Sequence, residues 1–297
     1  MKDGSIEFGY DTNGNILYKK DETNIIEYKY DGDRLMSYNN LPFAYDPIGN
    51  PTLYKNNAMT WDFRSLKTYK SATFDYNAAG LRISKTVNSV KTDYIWAGDK
   101  LLREKTPSSS IDYTYGVDGV IGVKIGGVQY WYVKNLQGDI VEIRDNNGVL
   151  KAKYEYDAFG KCDVVTNVGG IAELNPIRYR SYYYDSDVDL YYLQSRWYDP
   201  EVGRFLSPDA IEIIEITKNH VNGLNLYMFC GNDPVNNIDD DGYFFHKIGN
   251  WFYRTVIQPI GTAVGWVTNN IVQPVVGWVD NNIISPINNS NCCQLRS

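Results

Sequence analysis

The candidates for chemistry in this chain are carboxylates that lie beside turns. Asp209 ends a run, 195–209, in which Asp-Pro and then Gly mark a turn among aromatic and charged residues. A second acidic group, Asp239–Asp241, precedes Gly242. Two carboxylates that share one proton can hydrolyse a peptide bond, because the ionised group activates water while its protonated partner polarises the carbonyl. Whether these carboxylates can do such chemistry depends on whether the fold brings them together.

Each of these residues also has a purely structural interpretation. Asp209 follows Pro208 and could be a turn residue or a helix N-cap. Asp239–Asp241 could form an exposed acidic turn, and Arg196 could clamp strand ends through bidentate bonds to a carboxylate. The sequence leaves these alternatives open, and it leaves Asp241 open as an alternative to Asp239.

The sequence does not indicate a metal site, a histidine- or cysteine-based catalytic site or a nucleic-acid-binding surface. His220 and His246 have no nucleophile or metal-ligand partner at a meaningful spacing, and the four cysteines lack the paired spacing of metal ribbons or disulfide frameworks. A net charge of −7 provides no basic surface for nucleic acid. We expect no metal, no cofactor and no nucleic-acid partner.

The elements that must position the acids are repeats. Tyr-Asp followed closely by Gly recurs along the chain, and alternating residues such as Ile26, Tyr28 and Tyr30 read as strands. Each repeat predicts a β-hairpin whose turn contains a glycine at positive φ. The copies are Tyr10-Asp11 with Gly14, Tyr30-Asp31 with Gly32, Tyr45-Asp46 with Gly49, and Tyr156-Asp157 with Gly160.

The run 195–209 resembles the core motif of the RHS or YD-repeat family. That family includes bacterial polymorphic toxins, wall-associated contact toxins, the C components of insecticidal toxin complexes and the teneurins. The segment 128–139 resembles the hairpin that precedes the family's core, and 175–180 resembles the core's opening. The core-motif residues are Tyr198, Asp199, Pro200, Gly203, Arg204 and Phe205.

The resemblance implies roles for the carboxylates. In self-cleaving members an Arg precedes one Asp by thirteen residues, and a second Asp lies just before the cut. The matching residues here are Arg196, Asp209 and Asp239, with the cut between Tyr243 and Phe244. The family's Asp-Pro-x-Gly-Leu is replaced by Asp-Asp-Asp-Gly-Tyr, which leaves activity open. Asp199 and Arg204 are expected to be architectural.

Three regions are predicted: repeats over 1–165, the core over 166–243, and a variable tail over 244–297. The fold class is mainly β, a curved antiparallel sheet of hairpins that forms an arc of an RHS shell and ends in a core-motif plug. Prolines restart short amphipathic helices in the tail. The tail could lie on a membrane surface or pack as a plug or linker, and it has no uninterrupted apolar stretch long enough for an ordinary span.

The resemblance implies a bacterial scaffold, secreted or at the cell surface, that holds its own C-terminal segment and releases it by one self-cleavage. An immunity protein or further shell repeats are expected partners, because 297 residues form only part of a shell. We expect a terminal fragment or an orphan copy, without a signal peptide. The alternative is a non-catalytic binding or adhesion module whose tyrosines contact a glycan or another cell-surface target.

Overall fold

The computed structural model describes residues 6–117, 119–209, 225–239 and 245–247. Residues 1–246 form one compact unit and residues 247–297 a second one. The predicted helical tail over 244–297 lies outside the described residues except for Phe245–Lys247, which form a strand. Asp240, Asp241 and the Tyr243–Phe244 bond lie outside them as well. Within the described ranges, we find no helix with the length and hydropathy needed to cross a membrane.

Consecutive antiparallel hairpins build two sheets, in which every strand pairs with its neighbours in the sequence. The first sheet has five strands: β1 Glu7–Tyr10, β2 Ile16–Lys20, β3 Ile25–Asp31, β4 Arg34–Tyr38 and β5 Leu41–Pro42. The second has fourteen: β6 Ala44–Tyr45, β7 Pro51–Tyr54, β8 Asn57–Asp62, β9 Ser65–Tyr69, β10 Ala72–Tyr76, β11 Arg82–Val87, β12 Val90–Ala97, β13 Lys100–Lys105, β14 Ser110–Gly116, β15 Gly119–Ile125, β16 Val128–Lys134, β17 Ile140–Asp145, β18 Leu150–Tyr156 and β19 Cys162–Asn167. The prediction of a mainly β, antiparallel repeat fold is confirmed, and the sheets do not close.

The repeated Asp-x-x-Gly turns share one hydrogen-bond pattern. Asp11 Oδ1 accepts the backbone N–H groups of Asn13 at 2.9 Å and Asn15 at 2.8 Å, while Gly14 adopts a φ of 75°. The side chain thus satisfies two amides that the turn removes from the strand ladder. The same pattern recurs in the turns that begin at Asp46, Asn77, Asn135, Asp145 and Asp157.

After several of these turns, the first residue of the next strand accepts a hydrogen bond from an aromatic side chain of the following hairpin. The aromatic side chain donates this bond to that residue's backbone carbonyl, so an Asp-Gly turn and the next aromatic strand form one unit. The pairs are Tyr30 to Ile16, Trp61 to Pro51, Trp96 to Arg82 and Tyr156 to Ile140, at 2.7–3.0 Å.

A small core domain packs against the turns. It contains helix α1 (Ile171–Leu174) and a four-stranded antiparallel sheet: β20 Tyr183–Asp185, β21 Leu190–Tyr192, β22 Trp197–Asp199 and β23 Arg204–Phe205. Short 3-10 turns lie at Tyr179–Ser181 and Cys230–Asn232. A final pair of strands, β24 Asn237–Asp239 and β25 Phe245–Lys247, follows.

Tyrosine hydroxyls join the core to the sheet. Tyr179, Tyr191 and Tyr198 are fully buried, and they donate to three successive carbonyls of one repeat turn, those of Ala158, Gly160 and Phe159, at 2.6–3.0 Å. Most tyrosines therefore face the core rather than solvent. In the described part of the chain, the large aromatic side chains that remain exposed are those of Phe63, Tyr10 and Trp131.

A buried ion cluster also links the sheet to the core. Arg82 of β11 and Asp185 of β20 are each 1% exposed, and their side chains meet at 2.7 Å. Lys85 contacts the same carboxylate at 2.9 Å. Five aromatic rings surround the Arg82 guanidinium with centroids 4.2–5.6 Å away. Burial raises the pKa of Asp185, but the charges of Arg82 and Lys85 outweigh burial and lower it below its usual value.

We expect Asp185→Asn to reduce the free energy of unfolding by about 3–5 kcal/mol, because it leaves the buried Arg82 without its counter-ion and removes one of the two carboxylates that contact Lys85. Denaturant unfolding measures the change. Asp93→Asn is the matched control: it removes an Asp–Lys91 pair whose side chains are more than half exposed, and we expect little change. Equal losses in the two variants would contradict the assigned role of the buried cluster.

The same carboxylate predicts a pH dependence. A folded-state pKa below the unfolded one gives stability that is present above about pH 4 and is lost as the pH falls through the folded-state pKa. The stability difference between wild type and Asp185→Asn should therefore shrink in acid. Urea unfolding between pH 7 and pH 3 measures it, and a constant difference would show that ionised Asp185 does not stabilise the fold.

Candidate active site

The core motif forms the hairpin β22–β23. Asp199 Oδ1 accepts the backbone N–H groups of Glu201 and Val202 at 2.8 and 3.1 Å, which closes the turn around Pro200. Gly203 has a φ of 79°, and a Cβ there would lie 3.0 Å from the Phe159 ring. Only glycine fits this position without strain.

The neighbouring motif residues tie the hairpin to the first repeats. Arg204 donates to the Asp33 carbonyl at 2.6 Å and lies over the Tyr30 ring. Asp199 also contacts the Lys55 ammonium at 2.7 Å and accepts a hydrogen bond from Tyr54. These contacts agree with the architectural roles expected for Asp199 and Arg204.

Arg196 brings together the two predicted acids. Its Nη2 lies 2.8 Å from Asp209 Oδ2 and 3.4 Å from Asp239 Oδ2, so one nitrogen contacts both carboxylates. The Phe205 ring packs against the guanidinium, with its centroid 3.5 Å from Arg196 Cζ. Arg196 and Asp209 are each 6% exposed and Asp239 is 2% exposed. Residues that are thirteen and forty-three positions apart thus form one buried cluster, called here the acid pair with its arginine.

The backbone fixes each acid separately. The Leu226 carbonyl accepts both the Asp209 N–H at 2.9 Å and Arg196 Nη1 at 3.1 Å, which locks the arginine to the first acid. Asp239 ends β24, and its carbonyl accepts a hydrogen bond from the Tyr182 hydroxyl. Both acids are therefore held by well-packed main chain rather than by mobile side chains alone.

A cavity of about 350 Å³ adjoins this cluster, and Arg196, Asp209, Ser195 and Ser207 are among its lining residues. Its volume is many times that of a water molecule, about 30 Å³. A water molecule can therefore reach one of the two carboxylates from this side.

The arrangement can support acid–base chemistry. Two carboxylates that contact the same cation are within reach of one another, and neighbouring carboxylates can share a proton. Such a pair can activate water and polarise a carbonyl at the same time. Among the described residues, no three His, Cys, Asp or Glu side chains come together in a way that could hold a metal ion.

The sequence pointed to Arg196, Asp209 and Asp239, and the fold brings these three together; their catalytic role stays a prediction. The cleavage site at Tyr243 and Phe244 lies outside the described residues. Sequence reasoning missed three residues that contact the segments carrying the acids. Arg64 donates to the Pro208 carbonyl, Arg180 to the Pro234 carbonyl and Tyr182 to the Asp239 carbonyl. Arg180 lies in the segment 175–180 that resembles the opening of the core, but nothing in its spacing indicated what it would contact.

A long meander of Tyr-Asp hairpins, with its turns bound to a buried core hairpin, defines a YD-repeat shell protein. The family model "Teneurin YD-shell" matches residues 1–235, so the chain belongs to this family. The resemblance to RHS and YD-repeat proteins is confirmed.

Curated relatives include a tRNA nuclease and a DNA deaminase toxin. The chain is 33% identical over 268 residues to tRNA nuclease WapA of Bacillus subtilis (strain 168), covering 84% of this chain and 11% of that protein. It is 25% identical over 283 residues to double-stranded DNA deaminase toxin A of Burkholderia cenocepacia, covering 80% of this chain and 19% of that protein. The chain thus spans no more than a fifth of the length of either relative.

A solved structure supports the fold. The crystal structure of TcdB2-TccC3 without the hypervariable C-terminal region matches with a TM-score of 0.51 and 16% identity, over 80% of this chain and 17% of that chain. At this identity the match establishes the shared shell architecture alone.

The acid pair predicts non-additive energetics. Arg196→Met should reduce the free energy of unfolding by about 3–5 kcal/mol, because it removes the guanidinium that contacts both buried carboxylates. Adding Asp239→Asn to Arg196→Met should restore about 1 kcal/mol or more, because it removes one of the two negative charges. A double-mutant cycle by denaturant unfolding measures the coupling, and strictly additive losses would show that the three groups do not act as a unit.

Proposed function

We propose that this chain is part of an RHS-type toxin scaffold that encloses or presents its C-terminal segment and cuts itself once, after Tyr243. The reaction is hydrolysis of the Tyr243–Phe244 peptide bond by an aspartic-protease-like mechanism. One carboxylate of the acid pair takes a proton from water, the water oxygen attacks the carbonyl carbon, and the protonated partner donates its proton to the departing amine. The products are a new carboxyl terminus at Tyr243 and a new amino terminus at Phe244.

The observation that carries this proposal is the position of Arg196 between Asp209 and Asp239. A buried guanidinium that held a single acid would be a structural clamp, as Arg82 is with Asp185. A nitrogen that contacts two acids instead brings both carboxylates to one point, as proton sharing between them requires. An aspartic protease requires such a proton.

The chain order supports the proposed bond. Asp239 is the last residue of β24, and only the five residues 240–244 separate it from β25. The bond between residues 243 and 244 is therefore close to the acid pair along the chain, and an intramolecular reaction needs no substrate binding from solution.

The toxin relatives support the scaffold role. Two of them are named as a tRNA nuclease and a DNA deaminase toxin, and this chain matches only a small part of each. We infer that the repeat sheet and core are the shared carrier, and that the activity of such toxins resides elsewhere in their chains. A secreted or cell-surface location follows from this role. The C-terminal segment is the proposed partner.

Intact-mass measurement of the purified chain tests the proposal. We expect fragments 1–243 and 244–297 in the wild type. Asp209→Asn and Asp239→Asn should each lower the first-order cleavage rate by about 10²–10⁴-fold, because each removes one half of the acid–base machinery.

Asp241→Asn is the matched control, since it removes a neighbouring carboxylate of the same acidic run. It should cut at the wild-type rate if Asp239 is the second acid. An uncut wild-type chain throughout pH 4–8 would refute self-cleavage, and a cut that is lost only in Asp241→Asn would move the second acid to that residue.

A further inference from the structure

The two acids are attached to different hairpins of the repeat sheet. The segment that leads into Asp239 contacts the turn between β16 and β17, where Gln137 Nε2 donates to the Val235 carbonyl at 2.8 Å. Asp209 follows Pro208, whose carbonyl accepts Arg64 Nη1 at 2.9 Å from the turn between β8 and β9. Hairpins far apart in the sheet thus hold the two halves of one site.

Arg180 is the central connection on the Asp239 side. It is 5% exposed, and its backbone N–H donates to Asp139 Oδ1 at 2.8 Å, which fixes it to the β16–β17 turn. Its guanidinium donates to the Gln137 carbonyl at 3.0 Å and to the Pro234 carbonyl. A single side chain therefore joins the repeat turn to the segment that carries Asp239.

The backbone at Arg180 shows that this placement is specific. Its φ is 53°, in the left-handed region that residues with a Cβ adopt at an energetic cost. The contacts to Asp139, Gln137 and Pro234 offset that cost. The planar fork of arginine reaches two carbonyls at once, which a lysine ammonium on a flexible stem cannot reproduce with the same geometry.

We propose that Arg180 is a positioning residue that couples the acid pair to the folding of the repeat sheet. Asp239 meets Arg196 and Asp209 only when the β16–β17 turn has packed on the core, and Asp209 is placed independently by Arg64 and the β8–β9 turn. Self-cleavage is thereby restricted to chains whose sheet has assembled around the core. The catalytic consequence rests on the proposed function, while the positioning itself can be measured without cleavage.

Hydrogen exchange measures the positioning directly. In the full chain with Asp209→Asn, which is uncut, Arg180→Lys should raise amide exchange over residues 235–239 by about tenfold, because the segment loses its anchor. The matched control is Arg178→Lys. Arg178 is 7% exposed and donates to the carbonyls of Ala172 and Asn175, not to the segment 233–239, so exchange there should stay unchanged.

A milder variant keeps the test decisive if Arg180→Lys folds poorly. Gln137→Ala removes only the hydrogen bond to Val235, and it should raise exchange over 235–239 by about threefold. In the same background, Arg64→Ala should give the opposite pattern, with faster exchange at the amide of residue 209 and no change over 235–239. Unchanged exchange over 235–239 in both Arg180→Lys and Gln137→Ala would overturn the inference.

The pH profile of self-cleavage is the second readout. Arg180→Lys should slow the reaction about tenfold or more and should also shift the profile, because displacing one carboxylate changes how the pair shares its proton. A loss of stability alone would lower the amount of folded protein without shifting the profile. A wild-type chain that never cuts would refute the proposed function, and the exchange data would still decide the role of Arg180.

Discussion

The hydrogen bonds between core tyrosines and repeat turns are the interaction on which the rest of this structure depends. Strand pairing in a meander does not by itself bring the turns into contact with one element. The buried hydroxyls of Tyr179, Tyr191 and Tyr198 need acceptors, and the turn at 157–160 offers three free carbonyls. An unsatisfied hydroxyl in this aromatic interior would cost about 1–3 kcal/mol, so the core and the turns specify each other.

Two buried clusters of arginine and aspartate differ in their arrangement. At the sheet–core contact, Arg82 and Lys85 share the buried carboxylate of Asp185, and Lys85 also contacts Asp187. In the core motif, a single nitrogen of Arg196 contacts the carboxylates of both Asp209 and Asp239. The first arrangement keeps its carboxylate ionised and suits a clamp. The second brings two carboxylates to one cation, which is the arrangement on which the proposed self-cleavage rests.

The repeat architecture explains how a site can be built from residues far apart in sequence. Each Asp-Gly turn uses its own side chain to satisfy its amides, which leaves the adjacent carbonyls available for the core. The turns are thus both the ends of hairpins and the docking points for the core. Arg64 and Arg180 both make contacts at these turns: Arg64 on the side of Asp209 and Arg180 on the side of Asp239.

Local sequence determined the hairpins, the positions of their turns and the identity of the core motif. The Asp-x-x-Gly pattern has only short-range requirements, a carboxylate or amide and a glycine at positive φ, and these can be read from neighbouring residues. The spacing of Arg196 and Asp209 and the position of Asp239 were also visible through the family resemblance. Tertiary structure alone decided that these three side chains converge and that most tyrosines face inward. It also decided that Arg64, Arg180 and Tyr182 contact the segments that carry the acids. Those outcomes depend on which repeat turn each core residue contacts. Long-range packing determines these contacts, and no local sequence pattern indicates them.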